Sequence, residues 1–249
     1  MSARPPAAVV MEDDTTYQRQ LETFVRCSTE KSIELLKIGE IIAGLPHRRR
    51  FLDIGAGGGD LTLPIAQTFA ETVIVEPNAE QAAFFRRRSP QIWIHEQPWS
   101  EVDLGAERFD LILCSHVLYY IAESDWLPAI EKMYAHLAPK GRIVIVLQSP
   151  LGEVADFFRQ FARYDVNIET LWGDLIHRYG DKHVAVRYFT NEIWSRNLDD
   201  MVEIALFLLI DRRFRTRKPA IRAYLEAHHR VEGGYRLRQD DVLLAIGKG

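Results

Sequence analysis

The sequence predicts an α/β chain built on a doubly wound, mostly parallel sheet. Three observations carry that prediction. Short apolar runs alternate with helix-period stretches between residues 50 and 148. The run RIVIVLQ at 142–148 is almost wholly apolar, as a strand buried on both faces has to be. The first of these runs opens into a glycine-rich turn, FLDIGAGGGD at 51–60.

The elements follow in order. Residues 1–14 are predicted to be disordered, with small residues, two prolines and no periodicity. Tyr17, Leu21, Phe24 and Val25 recur at helical spacing, and Ile33, Leu36 and Ile41 mark a second helix capped at Ser28 or Thr29 and stopped by Pro46. Residues 50–54 form the first strand, and a helix opens after the glycines with Pro64 in its first turn. Strands are predicted at 72–77, 91–96, 109–116 and 142–148, with helices at 79–88 and 124–138. After 149 the alternation breaks. VADFFRQFARY, IETLWGDLIHRYG and AIRAYLEAHH are predicted helices, and FTNEIWSRNL is predicted to be a fourth, capped at Thr190. MVEIALFLLI fits a strand or a helix. DVLLAIGK is a closing strand, with 236–238 as a possible hairpin arm before it.

Composition narrows the function classes. A net charge of -4 argues against a nucleic-acid binder, although RRR at 48–50, RRR at 86–88 and RRFRTRK at 212–218 are local basic runs, read as solvated surface. Two cysteines make neither a disulfide framework nor a metal-ligand pattern, and Cys114 reads as a buried thiol. No metal site is expected. The longest apolar run, IALFLLI, is too short to span a bilayer, so a soluble, cytoplasmic protein with no membrane partner is expected. Oligomeric state is not legible.

The turn itself reads D-x-G-x-G-x-G: Asp53, Gly55, Gly57, Gly59. A dinucleotide turn wants glycine where Asp60 stands, and a phosphate loop wants a lysine that is missing. Asp53 is a poor neighbour for a pyrophosphate and a good one for a cation. The second strand ends at Glu76, roughly 20 residues beyond the turn, where a carboxylate can accept both ribose hydroxyls of an adenosine. An adenosine held by Glu76 and a cationic, non-phosphate end near Asp53 describe S-adenosylmethionine.

On these residues the chain resembles the class I, Rossmann-like S-adenosylmethionine-dependent methyltransferases: FLDIGAGGGD, VIVEP with Pro77 closing the run, FDLILCSHVLYY and PKGRIVIV. The resemblance implies a seven-stranded sheet whose last pairing is antiparallel. A narrower resemblance, to the histamine N-methyltransferase-like small-molecule methyltransferases, rests on YQRQLETFVRCSTE, VEPNAEQ, HEQPWSE and HVLYYI. It implies that Tyr17 and Glu30 serve the substrate pocket. Glu76, Gln81 and Ser100 would touch the cofactor, and Ser115 would lie beside its adenine or methionine part. His116 stands where the relatives carry an amide near the substrate, Tyr120 would wall the pocket, and Asp240 falls near a C-terminal asparagine. Lys31 replaces a histidine of the relatives. The implied organisation is a disordered 1–14, an N-terminal helical cover at 15–46, a cofactor-binding core at 47–148, a helical insertion at 149–235 that shapes the substrate pocket, and a C-terminal strand at 236–249.

The expected reaction is in-line methyl transfer to a nitrogen of a small-molecule amine or nitrogen heterocycle. Such a reaction asks mainly for alignment at about 3 Å in a dry site. His116, at the C-terminal end of the fourth strand, suits proton exchange near neutral pH, or else is a helix-start histidine bonded to backbone. Glu30 would anchor an ammonium group, or else is a solvated helix carboxylate. O- or C-methylation of a small acceptor, and a non-catalytic S-adenosylmethionine-binding role, are the alternatives.

Overall fold

The computed structural model describes residues 13–162 and 167–249, so the N-terminal stretch expected to be disordered lies almost wholly outside it. Along the chain the elements are α1 (Asp14–Cys27), α2 (Glu30–Ala43), β1 (Arg50–Ile54), α3 (Thr62–Ala66), β2 (Glu71–Val75), α4 (Ala79–Arg88), β3 (Trp93–His95), β4 (Phe109–Ser115), α5 (Trp126–Ala135), β5 (Leu137–Gln148), α6 (Glu153–Phe161), α7 (Ile168–Tyr179), β6 (Val184–Ser195), α8 (Leu198–Leu208), α9 (Lys218–His228), β7 (Arg230–Val231) and β8 (Gly234–Gly247). The sheet runs in the order β3-β2-β1-β4-β5-β8-β6, with the short β7 paired to β8. The pairings from β3 across to β5 are parallel, and β5 meets β8 antiparallel, as the sequence leads one to expect.

The chain divides into two compact units. One holds residues 1–30, 149–166 and 190–240; the other holds 31–148, 167–189 and 241–249. In the second unit, α2 lays Ile38 and Ile42 on a sheet face formed by Phe51, Leu111, Leu113, Val144, Val146 and Leu243. These residues are apolar because the face is sealed: all but Ile42 are wholly buried. The strands then change character together. Two residues past Phe51, Leu113 and Val146, and two before Leu243 on the antiparallel strand, the same face carries Asp53, Ser115, Gln148 and Asp241. The C-terminal edge of the parallel strands is therefore a polar step above an apolar floor.

Local chemistry explains the helices beside it. Asn78 caps α4 by accepting from the backbone N–H groups of Glu80 and Gln81, and three arginines in its last turn oppose the helix dipole. Arg86 pairs with Glu96 at 2.6 Å. Arg50, from the first basic run, is not simply solvated: it bridges Glu71 and Glu107 at 3.0 and 3.1 Å and lies over the Phe109 ring.

In the first unit, α6, α8 and α9 pack around Phe157, Phe161, Val202, Ile204, Ile221 and Leu225. MVEIALFLLI resolves as α8. Its apolar residues occupy nearly every face because α1, α9 and the residues of α6 surround it. FTNEIWSRNL corrects the sequence expectation: it is the end of β6, not a helix. From Phe189 to Ser195 burial alternates strictly, with Phe189, Asn191, Ile193 and Ser195 inside. That period of two overrides the capping signal at Thr190, whose hydroxyl instead bonds Asp240. The hairpin arm before the last strand is β7, and 236–238 belong to β8 itself. No helix among the described residues is long and apolar enough to cross a membrane.

Phe157 is fully buried and packs at a tilt against the rings of Phe161 and Tyr224, with centroids 4.9 and 6.0 Å away. Phe157→Ala is expected to cost about 3–5 kcal/mol of stability, read as a lower midpoint in urea unfolding. A loss below about 1 kcal/mol would show that the site collapses around the deletion.

Candidate active site

The site grows from the end of β1. Gly55, Gly57 and Gly59 all have positive φ, which a side chain would strain. Two of them make separate demands. A Cβ on Gly55 would stand 2.4 Å from a Val117 methyl carbon, so close packing requires glycine there. A Cβ on Gly57 would meet nothing within 4 Å, so no protein atom demands the missing side chain. Gly57 instead leaves bare backbone facing open space, the cradle a ligand's adenosyl group needs.

Glu76 closes the turn from the end of β2. Its carboxylate accepts from the backbone N–H of Gly57 at 3.0 Å and of Asn78 at 2.9 Å. Those bonds fix its plane, and a carboxylate has about four acceptor positions, so it can take ribose hydroxyls as well. Burial raises its pKa, and the two N–H groups oppose that rise. Gln81, in the first turn of α4, is buried beside it in sequence order, while Pro77 and Ser100 are exposed. Lys132 donates to the carbonyls of Trp99, Ser100 and Val102 and lies over the Trp99 ring, so that tryptophan is already holding a cation of the protein. Trp126 is a core residue, its indole N–H bonded to Leu118 and Ile121 carbonyls.

Asp53 is buried and accepts from the Thr62 hydroxyl at 2.6 Å, which ties β1 to α3. Burial pushes its carboxyl up to about 7. The Thr62 bond opposes this, and Glu76 adds to it.

A group that sequence reasoning missed lies at the end of β4. Glu34, one turn into α2, has no solvent exposure. It accepts from the Ser115 hydroxyl at 2.7 Å, and Lys31 Nζ and His116 Nε2 stand 3.2 and 3.3 Å from its Oε1. Burial would raise its pKa. Lys31, His116 and Ser115 outweigh burial and hold the carboxyl well below the usual carboxylate range. His116 has a positive φ, and its N–H donates to the Val146 carbonyl at 2.9 Å. Its Nδ1 lies 3.3 Å from the Tyr119 hydroxyl, which accepts the backbone N–H of Gln148. Tyr119 thus joins the histidine, while Tyr120 is exposed. In the sequence, the spacing Glu30–Glu34 was the available signal: two acids one helical turn apart on an otherwise apolar face.

Tyr17 and Glu30 belong to the first unit. Tyr17 packs on Phe207 with ring centroids 5.7 Å apart. Glu30 is buried, not solvated, and accepts from the Gln239 amide.

An open glycine turn with a carboxylate pinned across it, at the C-terminal edge of a parallel sheet closed by an antiparallel strand, fits S-adenosylmethionine. The class that fold and turn define is the S-adenosylmethionine-dependent methyltransferase. The family is shown directly, since residues 17–192 match the model described as a methyltransferase domain, and the chain belongs to that family. Among curated relatives, the chain is 28% identical over 102 residues to a dTDP-3-amino-3,6-dideoxy-alpha-D-glucopyranose N,N-dimethyltransferase of Streptomyces fradiae, covering 40% of each chain. It is 35% identical over 97 residues to nodulation protein S of Azorhizobium caulinodans, covering 37% of this chain and 46% of that one. The chain spans about half the length, or less, of the curated relatives it matches. Among solved structures, N-methyltransferase NodS from Bradyrhizobium japonicum WM9 superposes with a TM-score of 0.53 at 15% identity, over 95% of this chain and 99% of that one.

Two predictions follow from this geometry. Glu76→Ala is expected to raise the dissociation constant for S-adenosylhomocysteine about tenfold or more in calorimetry, a loss of about 1.4 kcal/mol or more; unchanged affinity removes Glu76 from the cofactor site. Asp53 binds its proton more tightly folded than unfolded. Its stabilising contribution is therefore complete below about pH 4 and lost as pH rises through about 7. Asp53→Asn should flatten the fall in Tm between about pH 4 and pH 7, and equal slopes in both proteins would mean that Asp53 does not titrate there.

Proposed function

We propose that the protein transfers a methyl group from S-adenosylmethionine to a nitrogen of a small-molecule amine or nitrogen heterocycle. The observation that carries this reading is the acidic character of the polar step. Glu34 is held ionised without exposure, and Asp53 and Asp241 are buried on the same strand ends. Buried acids at the strand ends favour an ammonium or imidazolium acceptor, whose charge would lower the raised Asp53 pKa, over a carboxylate or phenolate one. A similar curated protein, an N,N-dimethyltransferase, points the same way. So does the resemblance of the N-terminal segment to the histamine N-methyltransferase-like enzymes.

S-adenosylmethionine supplies the methyl group already activated on a sulfonium. The chain's own task is to place and deprotonate the acceptor. The glycine turn and Glu76 hold the adenosyl end, with Gln81 in the first turn of α4 and Ser115 at the end of β4 assigned to the same ligand. His116 is assigned the acceptor's proton, and Tyr120 a wall of the acceptor's pocket.

The test is mass spectrometry of reactions with S-adenosylmethionine and a panel of amino sugars, histamine, histidine, tyramine and tryptophan, with hydroxyl and carboxylate compounds as controls. Methylation of a panel nitrogen, located by fragmentation and matched by S-adenosylhomocysteine release, is the expected result. Methylation of the oxygen controls alone overturns the nitrogen assignment.

A further inference from the structure

One side chain of the polar step buries a hydrogen-bonding group that no described atom meets. Gln148 ends β5 and is 4% exposed. Its backbone N–H is committed to the Tyr119 hydroxyl. Its side-chain Nε2 is buried and has no hydrogen-bond partner among the described residues. Leaving such a group unmatched is costly, and buried amides nearly always find a partner. Asp241 is the register partner of Gln148 across β5 and β8, and side chains so paired share a face. Its carboxylate does not take the amide hydrogen. One of its oxygens lies instead within 4.8 Å of a His116 ring nitrogen. Position narrows what could meet the amide. In the sheet order β1-β4-β5-β8 the glycine turn leaves β1, and Ser115 ends β4 with His116 next to it. Gln148 is one strand further, about 10 Å from β1 at the usual strand spacing. That is the acceptor's side of His116, away from the adenosyl end.

Chemistry narrows it further. A carboxamide turns about its last torsion to present either a donor nitrogen or an acceptor oxygen. A hydroxyl meets both ends, because it accepts and donates. A carbonyl or a carboxylate meets only the nitrogen, and a carboxylate would also face the Asp241 charge. An ammonium group meets only the oxygen. We propose that Gln148 determines acceptor specificity by hydrogen-bonding a hydroxyl, so that the molecule methylated is an amino alcohol. This rests on the nitrogen-methylation reading. The amine lies at His116, toward the methyl donor, and the hydroxyl, a few bonds further along the molecule, reaches across to the end of β5. Binding such a molecule gives the buried amide the partner that the ligand-free chain does not supply.

The experiment combines Gln148→Leu, which keeps the bulk and removes the amide, with matched amines. Histidinol and histamine, octopamine and tyramine, and 2-aminocyclohexanol and cyclohexylamine differ by a hydroxyl or hydroxymethyl group. Calorimetry measures each against the full chain saturated with S-adenosylhomocysteine, so no turnover is needed. In the wild type the hydroxyl member of at least one pair should bind about tenfold more tightly or better. In Gln148→Leu that preference should fall to about twofold or less, with S-adenosylhomocysteine affinity within about twofold of wild type. Without any acceptor the variant should melt about 2–4 °C higher, since an unmatched buried amide gives way to an apolar side chain. Should leucine not be accommodated, Gln148→Met, unbranched and of similar length, is measured in the same two ways. The proposal is overturned if neither variant melts higher, if the members of every pair bind equally, or if none binds. Preferential binding followed by methylation on oxygen keeps the Gln148 contact and overturns the nitrogen-methylation reading instead.

Discussion

The burial of the Glu34 charge is the constraint on which the catalytic edge of the sheet depends. Moving a carboxylate out of water costs several kcal/mol, recovered only where geometry supplies partners. Here the partners come from separate places: Lys31 from the same helix, Ser115 from the last position of β4, and His116 from the residue after it. Glu34, Ile38 and Ile42 are spaced by four on α2, so one helix face presents a charge at one end and apolar bulk along the rest. The sheet below has the matching sequence of surfaces, an apolar floor and then Ser115 and Gln148. A shift of α2 by one turn would carry Glu34 away from Ser115 and His116 and toward the apolar floor, where no hydrogen is offered to it. The register of helix on sheet is therefore set by electrostatics as much as by packing.

The backbone at His116 answers to the same constraint. A positive φ in a residue with a side chain is uncommon, and holding one costs of the order of 1–3 kcal/mol unless neighbouring bonds determine it. Here the N–H is tied to Val146, and the ring lies between Glu34 and Tyr119. The kink takes the chain out of β4 at the point where the parallel strands end, the location at which open sheets bind ligands. Gly55 meets Val117 in the next position, so the glycine turn and the kink are packed as one piece.

Much of this was legible beforehand because it depends on short-range pattern. The strands of the core announce themselves by apolar runs, the turn by its glycines, and Glu76 by its distance from them. What was not legible depends on register between distant segments. The Glu30–Glu34 spacing in EKSIELLKIG marks a face of α2, but what Glu34 meets is decided only when α2 is laid against Ser115 and His116. Tyr119 and Tyr120 are adjacent and chemically identical, and only the turn after β4 decides which hydroxyl reaches the imidazole. The misread stretch at 190–195 is different in kind. Its period-two pattern was present, but a capping residue with an acid close behind it is a strong local signal, and the strand wins only because Phe189, Ile193 and Ser195 have an interior to enter.

The buried acids of this edge are coupled, and their different states give the site its chemical sense. Glu76 raises the Asp53 pKa, Lys31 lowers it, and Glu34 raises it again, beneath the larger effect of burial. Glu34 is ionised at the same edge because Lys31, His116 and Ser115 together outweigh its burial. Environments that push neighbouring carboxyls apart in this way divide their roles. One carboxylate stands ready to meet a positive charge, while burial raises the pKa of the other. A cationic ligand entering this edge would lower the Asp53 pKa and relieve the repulsion among the acids, so ligand charge and protein protonation are linked. A sulfonium donor carries the charge that such an edge lacks, and a pyrophosphate at the glycine turn would add to the repulsion instead. The electrostatics that make the glycine turn a poor place for a dinucleotide are the same that suit it to a sulfonium.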